Sequence, residues 1–171
     1  MKLKAKLKAK LKAKLTAFTP ADHALLLSWI PDADFALLWG GPRYKWPLDS
    51  TQITTYLDNE PVSAYLFVDD EQPIGYIELA QKPDNQITLC RILIADPNAR
   101  GKGYGATLIG LAIEKAKTEF GAVTVELGVF ENNHAARRCY AKLGFEIYQQ
   151  NTSIEHKGEN WPLLRMKMKL D

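Results

Sequence analysis

Hydrophobic and polar positions alternate with a period of two along residues 12–18, and the period then switches to a helical one in TPADHALLLSWI. Thr19 can cap that helix, Pro20 suits its first position, and Asp22 favours its positive end. PDADFALLWGGPRYKWPL breaks the pattern with prolines, glycines and aromatics, and reads as a structured, irregular loop. DSTQITTYLDNE reads as a short second helix. AYLFVDD and PIGYIELAQ, split by a turn at Asp69–Gln72, form a hairpin, and QITLCRILIAD is the next strand. A glycine-rich stretch then opens a helix to about Thr118, with Ile109, Ala112, Ile113 and Ala116 on one face. AVTVELGVF is a strand, NHAARRCYAKLG a helix closed by Gly144, FEIYQQ a strand, and LLRMKMKL the last strand. Strands interleaved with helices after an opening meander predict one α/β domain. Its sheet is mixed and mostly antiparallel, with about seven strands and about four helices.

Composition changes this picture at one end of the chain. The opening MKLKAKLKAKLKAKL holds seven of the 22 Lys and Arg and none of the 20 Asp and Glu, so the remainder is acidic by five charges. Such a body offers no cationic footprint, and a nucleic-acid partner is not expected. The opening segment reads most simply as a strand whose part near 12–18 joins the sheet, with residues 1–11 a dispensable extension. Two other readings stand beside it: a membrane-surface helix with Leu3, Leu7, Leu11 and Leu15 as its stripe, and a four-residue repeat with no function. Membrane binding is the least favoured of the three. With no run of eighteen apolar residues and only two cysteines, Cys90 and Cys139, the expected location is a reducing cytoplasm. His23, His134 and His156 are scattered, so no metal site is expected.

The candidate chemistry starts at NARGKGYGATLIG, residues 98–110. Gly101, Gly103 and Gly105 bare the backbone just where a helix begins, with Arg100 and Lys102 beside them. Uncovered N–H groups at the positive end of a helix dipole make an anion site, and a phosphate or diphosphate is the natural guest. A Walker loop is excluded because Lys102 is followed by Gly103 rather than Ser or Thr. A dinucleotide fingerprint can be laid on Gly101, Gly103 and Ala106, but it would stand too far from its strand. Downstream, Asn133, Ala136, Tyr140, Gly144 and Phe145 form the pattern N-x-x-A-x-x-x-Y-x-x-x-G-F. Joined to R-x-x-G-x-G at Arg100, Gly103 and Gly105, this chain resembles the GNAT superfamily of acetyl-CoA-dependent N-acetyltransferases over about 74–145. The resemblance implies acetyl-CoA as co-substrate, with its pantetheine arm along the backbone of Leu93, Ile94 and Ala95. It implies the diphosphate on Arg100, Gly101, Lys102, Gly103, Tyr104, Gly105 and Ala106, a hydrogen bond from Asn133, and Tyr140 near the sulfur.

Direct attack of an amine on a thioester, as in that family, raises two proton questions. Tyr140 is the candidate acid for the leaving thiolate, and a backbone N–H of Leu93–Ala95 the candidate for the carbonyl oxygen. A Lys-like amine is neutral in roughly one molecule in 2,500 at pH 7, about 4.6 kcal/mol, whereas an α-amine needs only about 1–1.4 kcal/mol. Ribosomal-protein alanine acetyltransferases carry a glutamate where this chain has Gly128. Glu78 is therefore the favoured base, with Glu126 and solvent as the other choices. Trp39, Tyr44 and Trp46, with Arg43 and Asp34, are the candidate walls of the acceptor pocket. The expected acceptor is a small-molecule amine or a peptide N-terminus. A non-catalytic acyl-CoA-binding module is the second reading, and a homodimer is compatible with the sequence.

Overall fold

Val62–Asp69 (β2) and Gln72–Lys82 (β3) turn back on each other through Asp70 and Glu71, at φ 49° and 63°. A two-residue turn in the left-handed region matches the twist of its strands, which is why so short a connection suffices. The computed structural model describes Lys2, Lys4 and residues 12–99 and 101–171. Apart from those two lysines, the proposed extension 1–11 lies outside the described residues, as does Arg100.

Ala13–Ala17 (β1) pairs antiparallel with β2, from Ala13 opposite Asp69 to Ala17 opposite Tyr65, so this stretch is the strand its alternation predicts. Gln86–Ile94 (β4), Thr124–Phe130 (β5), Glu146–His156 (β6) and Glu159–Lys169 (β7) complete a seven-stranded sheet in the order β1-β2-β3-β4-β5-β7-β6. Only β4 and β5 are parallel. A parallel pair needs a crossover, supplied here by the helix Tyr104–Phe120. The fold is the mixed, mostly antiparallel α/β sheet that the hydrophobic periods predict.

Five α-helices stand among the described residues, one more than the periodicity predicts: His23–Ser28 (α1), Ala33–Gly40 (α2), Ser50–Asn59 (α3), Tyr104–Phe120 (α4) and His134–Leu143 (α5). The extra one, α2, lies in the segment read as an irregular loop. Its prolines flank it rather than interrupt it, and Asp32 accepts from the Phe35 N–H at 2.8 Å to cap it. The last hairpin is also longer than expected. Lys157 and Gly158, at φ 51° and 79°, make a tight turn that lets polar residues continue β6 to His156.

Two apolar layers enclose the sheet. One, under α4 and α5, contains Phe67, Ile77, Leu79, Leu89, Leu108, Ile109 and Leu127; the other, under α1–α3, contains Leu26, Ile53, Leu66, Tyr76 and Leu93. Adjacent Leu66 and Phe67, or Tyr76 and Ile77, fall in opposite layers, as a period of two requires. Leu89 and Leu93 do not follow that rule. They are four apart, hence on one face of a regular strand, yet they lie in different layers. Between them β4 carries an extra residue against β3, for Tyr76 faces Leu93 while Glu78 faces Cys90, and Arg91 stands at φ 49°. This bulge re-aims the second half of β4.

Gly75 holds that second half in place. A Cβ there would stand 2.5 Å from the Leu93 carbonyl oxygen, a backbone atom with nowhere to move. Gly75→Ala therefore lowers unfolding free energy by about 1–3 kcal/mol, read by urea denaturation.

Candidate active site

Parallel pairing of β4 with β5 runs from Gln86 opposite Thr124 to Leu89 opposite Leu127 and then stops. Beyond it, β4 stays on β3, while β5 stays on β7 through Gly128–Arg165, Val129–Leu164 and Phe130–Leu163. The strands splay, leaving a cavity of about 330 Å³ between them. Trp39, Arg91, Asn133, Tyr140 and Arg165 are among its lining residues.

The splay leaves one edge of β4 without a strand partner. The Ala95 N–H donates to the Ile74 carbonyl at 2.9 Å, so Ala95 is committed to β3. Alternation in an antiparallel ladder likewise turns the backbone groups of Leu93 toward β3 and those of Ile94 away from it, toward the opening. Of the three residues expected to hold a pantetheine arm, Ile94 therefore has the outward-facing backbone, and the N–H groups of Leu93 and Ala95 are spent on the sheet.

Next to that edge, α4 starts without a side-chain cap: Gly103, at φ 83°, is its N-cap, and Gly101 also lies in the left-handed region at 81°. A Cβ at Gly101, Gly103 or Gly105 would meet no protein atom within 4 Å. The first-turn N–H groups of Tyr104, Gly105 and Ala106 have no carbonyl one turn back, so they face open space at the positive end of the helix. Lys102 and Tyr104 border an adjoining hollow of about 420 Å³ with Ala95 and Asp96. This cradle fits a diphosphate by charge and by room.

Asn133 caps α5, its side-chain oxygen accepting from the Ala136 N–H at 3.2 Å, which leaves its amide N–H₂ available to a ligand. Tyr140, two turns along, packs edge-on against Phe145 with ring centroids 6.1 Å apart. Its hydroxyl takes no hydrogen bond from or to another described residue, and burial pushes its pKa up to about 12. The phenol is thus protonated at neutral pH, the form a proton donor needs.

Glu78 sits elsewhere. It is 0% exposed, one carboxylate oxygen accepting from Arg91 Nη1 at 2.7 Å and the other from the Tyr76 hydroxyl at 2.8 Å. It does not line the cleft. Burial raises its pKa, and the Arg91 charge and the Tyr76 hydrogen bond pull against that rise. Arg91 Nη1 also donates to the Tyr56 hydroxyl at 2.8 Å, and its guanidinium lies 4.5 Å from the Tyr56 ring centre. Glu126 is occupied as well. Thr88 donates to it at 2.9 Å, Arg165 Nη2 at 2.8 Å, and the Tyr148 hydroxyl to its second oxygen. Burial alone would raise Glu126, but these donors outweigh it and hold the carboxyl below its ordinary range.

Of the expected acceptor walls, Trp39 lines the cleft and donates its indole N–H to the Arg91 carbonyl at 3.0 Å. Tyr44 stacks on Trp39 at 6.3 Å but faces a second hollow with Arg43 and Tyr56. Trp46 is 47% exposed and lines neither, while Asp34 pairs with Lys157 at 2.7 Å on the β6–β7 turn. Sequence reasoning passed over Arg91 and Arg165. The signal for Arg91 was present, a lone cation inside the apolar run from Ile87 to Ile94. Cys90 and Cys139 are free thiols, and burial pushes both up, away from nucleophilic thiolate. Among the described residues no cluster of three His, Cys, Asp or Glu is placed to hold a metal, and no helix is long and apolar enough to cross a membrane.

A parallel β4–β5 pair that splays beside a glycine-lined, uncapped helix entry defines a mixed α/β domain with an anion cradle at the mouth of its cleft. The Acetyltransferase (GNAT) family matches residues 29–145, more than half the chain, and the protein belongs to that family. It is an acetyl-CoA-dependent N-acetyltransferase. The aminoglycoside N(6′)-acetyltransferase type 1 of Klebsiella pneumoniae is 25% identical over 142 residues, 75% of this chain and 71% of that one. An uncharacterized N-acetyltransferase of Mycobacterium bovis is 31% identical over 100 residues, 58% of this chain and 63% of its own length. Among solved structures, the spermidine N-acetyltransferase from Vibrio cholerae in complex with CoA and spermine superposes with TM-score 0.78 at 17% identity, over 92% of this chain and 95% of that one. AAC(6′)-Ib in complex with ribostamycin and coenzyme A gives 0.73 at 22% identity, over 92% and 93%. At such identities these two likenesses show the fold.

The Glu78–Arg91 pair makes a specific demand on stability. Arg91→Ala strands a buried carboxylate and costs about 3–5 kcal/mol by urea denaturation, whereas replacing both partners, Glu78→Leu with Arg91→Met, recovers most of the loss.

Proposed function

We propose that the chain transfers the acetyl group of acetyl-CoA to a primary amine, on a small molecule or a peptide N-terminus, by direct attack within a ternary complex. The observation that carries this reading is Tyr140, a protonated phenol with no partner among the described residues, in the splay between β4 and β5. The named acceptors of relatives, spermidine and aminoglycosides, are amines and support the same class. In this reading Gly101–Ala106, with Arg100 and Lys102, hold the diphosphate, Asn133 donates its amide N–H, and Ile94 offers backbone groups to the pantetheine arm. Bound there, the cofactor supplies an activated acetyl thioester.

Tyr140 gives its proton to the departing thiolate. Glu78 and Glu126, the two carboxylates considered as bases, each have both oxygens engaged by internal donors. We therefore assign the amine's proton to water and give Glu78 the work of holding Arg91. A solvent base favours an amine of low pKa: an α-amine near 7.7–8.0 needs about 1–1.4 kcal/mol at pH 7, a Lys-like one about 4.6 kcal/mol.

Two measurements test this. Tyr140→Phe cuts turnover by about 10²-fold, followed by thiol release, with CoA affinity retained by calorimetry; unchanged turnover removes Tyr140 as the acid. Gly105→Ala, inside a helix and meeting no neighbour, raises thermal stability slightly, in line with the roughly 0.5–1 kcal/mol cost of helical glycine. The same change raises KM for acetyl-CoA several-fold if the diphosphate rests there. An unaltered KM moves the diphosphate elsewhere.

A further inference from the structure

The two carboxylates considered as bases, Glu78 and Glu126, are satisfied, and the arginines that hold them keep unspent donors. Glu78 spends both oxygens on Arg91 and Tyr76; Glu126 spends both on Thr88, Arg165 and Tyr148. The described residues lining the cleft include no Asp or Glu. Arg91 uses a single nitrogen, Nη1, for both its hydrogen bonds, and its Nε is buried with no partner. Arg165 uses Nη2 alone, on Glu126, so Nη1 and Nε are left over in a side chain that is 25% exposed and lines the cavity.

Gly128 explains how Arg165 comes to be there. These two residues face each other across β5 and β7, and a Cβ on residue 128 would stand 3.3 Å from Arg165 Nη1. The missing side chain is the space into which the guanidinium leans. A carboxylate at this position would have offered an acceptor to a cationic substrate; the chain instead offers surplus N–H donors.

From this we infer that the acceptor is an amine that also carries a carboxylate, which Arg165, in a cleft that Arg91 also lines, recognises at the Gly128 end. The inference rests on the amine-acceptor reading above and narrows it to amino-carboxylates, short peptides with a free C-terminus included. Arg165 acts as a specificity residue: its planar fork matches a carboxylate, and its own pairing with Glu126 holds it in place. A polycation finds no unspent acid among the described lining residues and meets two guanidinium groups.

The test uses a matched pair, the tripeptide Ala-Ala-Phe and its C-terminal amide, titrated calorimetrically into CoA-loaded protein, with spermidine as a third ligand. The free acid binds about tenfold tighter than the amide, the size of one charge-assisted hydrogen bond. That preference disappears in Arg165→Gln and persists in part in Arg165→Lys, with CoA affinity unchanged in both. Gly128→Asp, which puts a carboxylate against Arg165, also erases it, so the result does not depend on one variant folding. Equal binding of acid and amide, no binding of either, or tighter binding of spermidine overturns the inference. Thiol release, measured separately with the same ligands, judges the transferase reading: preferential binding of the acid without release with any amine leaves the carboxylate site standing and removes acetyl transfer to this class.

Discussion

The site depends on a strand that must serve two partners over different lengths. β4 pairs with β3 from Gln86 to Ile94 but with β5 only as far as Leu89, and the change falls at the Arg91 bulge. An extra residue in one strand breaks the ladder locally and increases its twist. Had β4 run straight, β5 would have continued to pair and filled the opening with hydrogen bonds. The bulge also carries Arg91 to the face of α1–α3, where Glu78 neutralises it with 10% of the Arg91 side chain exposed and none of Glu78. Removing two charges from water is costly, and such a pair contributes little net stability over apolar replacements. What it contributes is a defined position for the bulge, since the guanidinium has one place where the Glu78 carboxylate and the rings of Tyr44 and Tyr56 meet it, while the Trp39 indole bonds the Arg91 backbone carbonyl.

Electrostatics then divides the cleft by role. The helix mouth at Gly103 presents backbone dipoles to negative charge, and the far end presents arginine donors left over from internal ion pairs. Tyr140 lines the same cleft as the arginines, a phenol protonated at neutral pH whose pKa burial raises further. Among the described residues that line the cleft there are donors and a phenol but no Asp or Glu.

Much of the site was legible because it is built from local backbone requirements. Gly101 and Gly103 do lie at φ 81° and 83°, and Gly144 closes α5 at φ 110°, all conformations that glycine alone adopts freely. Asn133 and Tyr140 stand two turns apart on a single helix, a spacing that puts both on the side facing the cleft. Glu78 does lie on the hairpin strand the alternation predicts, but its role as base rested on an assumption of access to the acceptor that burial against Arg91 and Tyr76 removes. Trp39, Tyr44 and Trp46 are close in sequence but do not form one wall: the chain turns through Gly41 at φ 70°, Tyr44 comes back to stack on Trp39 while facing a second hollow, and Trp46 is left exposed.

The sequence by itself determined most of the elements and their order, the glycine-lined helix entry and the family, since each follows from periodicity or from a motif within about a dozen residues; the helix Ala33–Gly40, set between prolines and glycines, is the element it missed. Tertiary structure decided which charges meet. Glu78 finds Arg91 thirteen residues away through a bulge, and Glu126 finds Arg165 thirty-nine residues away through strand register. A shift of one residue in either pairing would send the side chain to the opposite face of the sheet. Register is settled by the packing of the whole layer, so the chemistry that depends on it becomes visible only when the sheet is assembled.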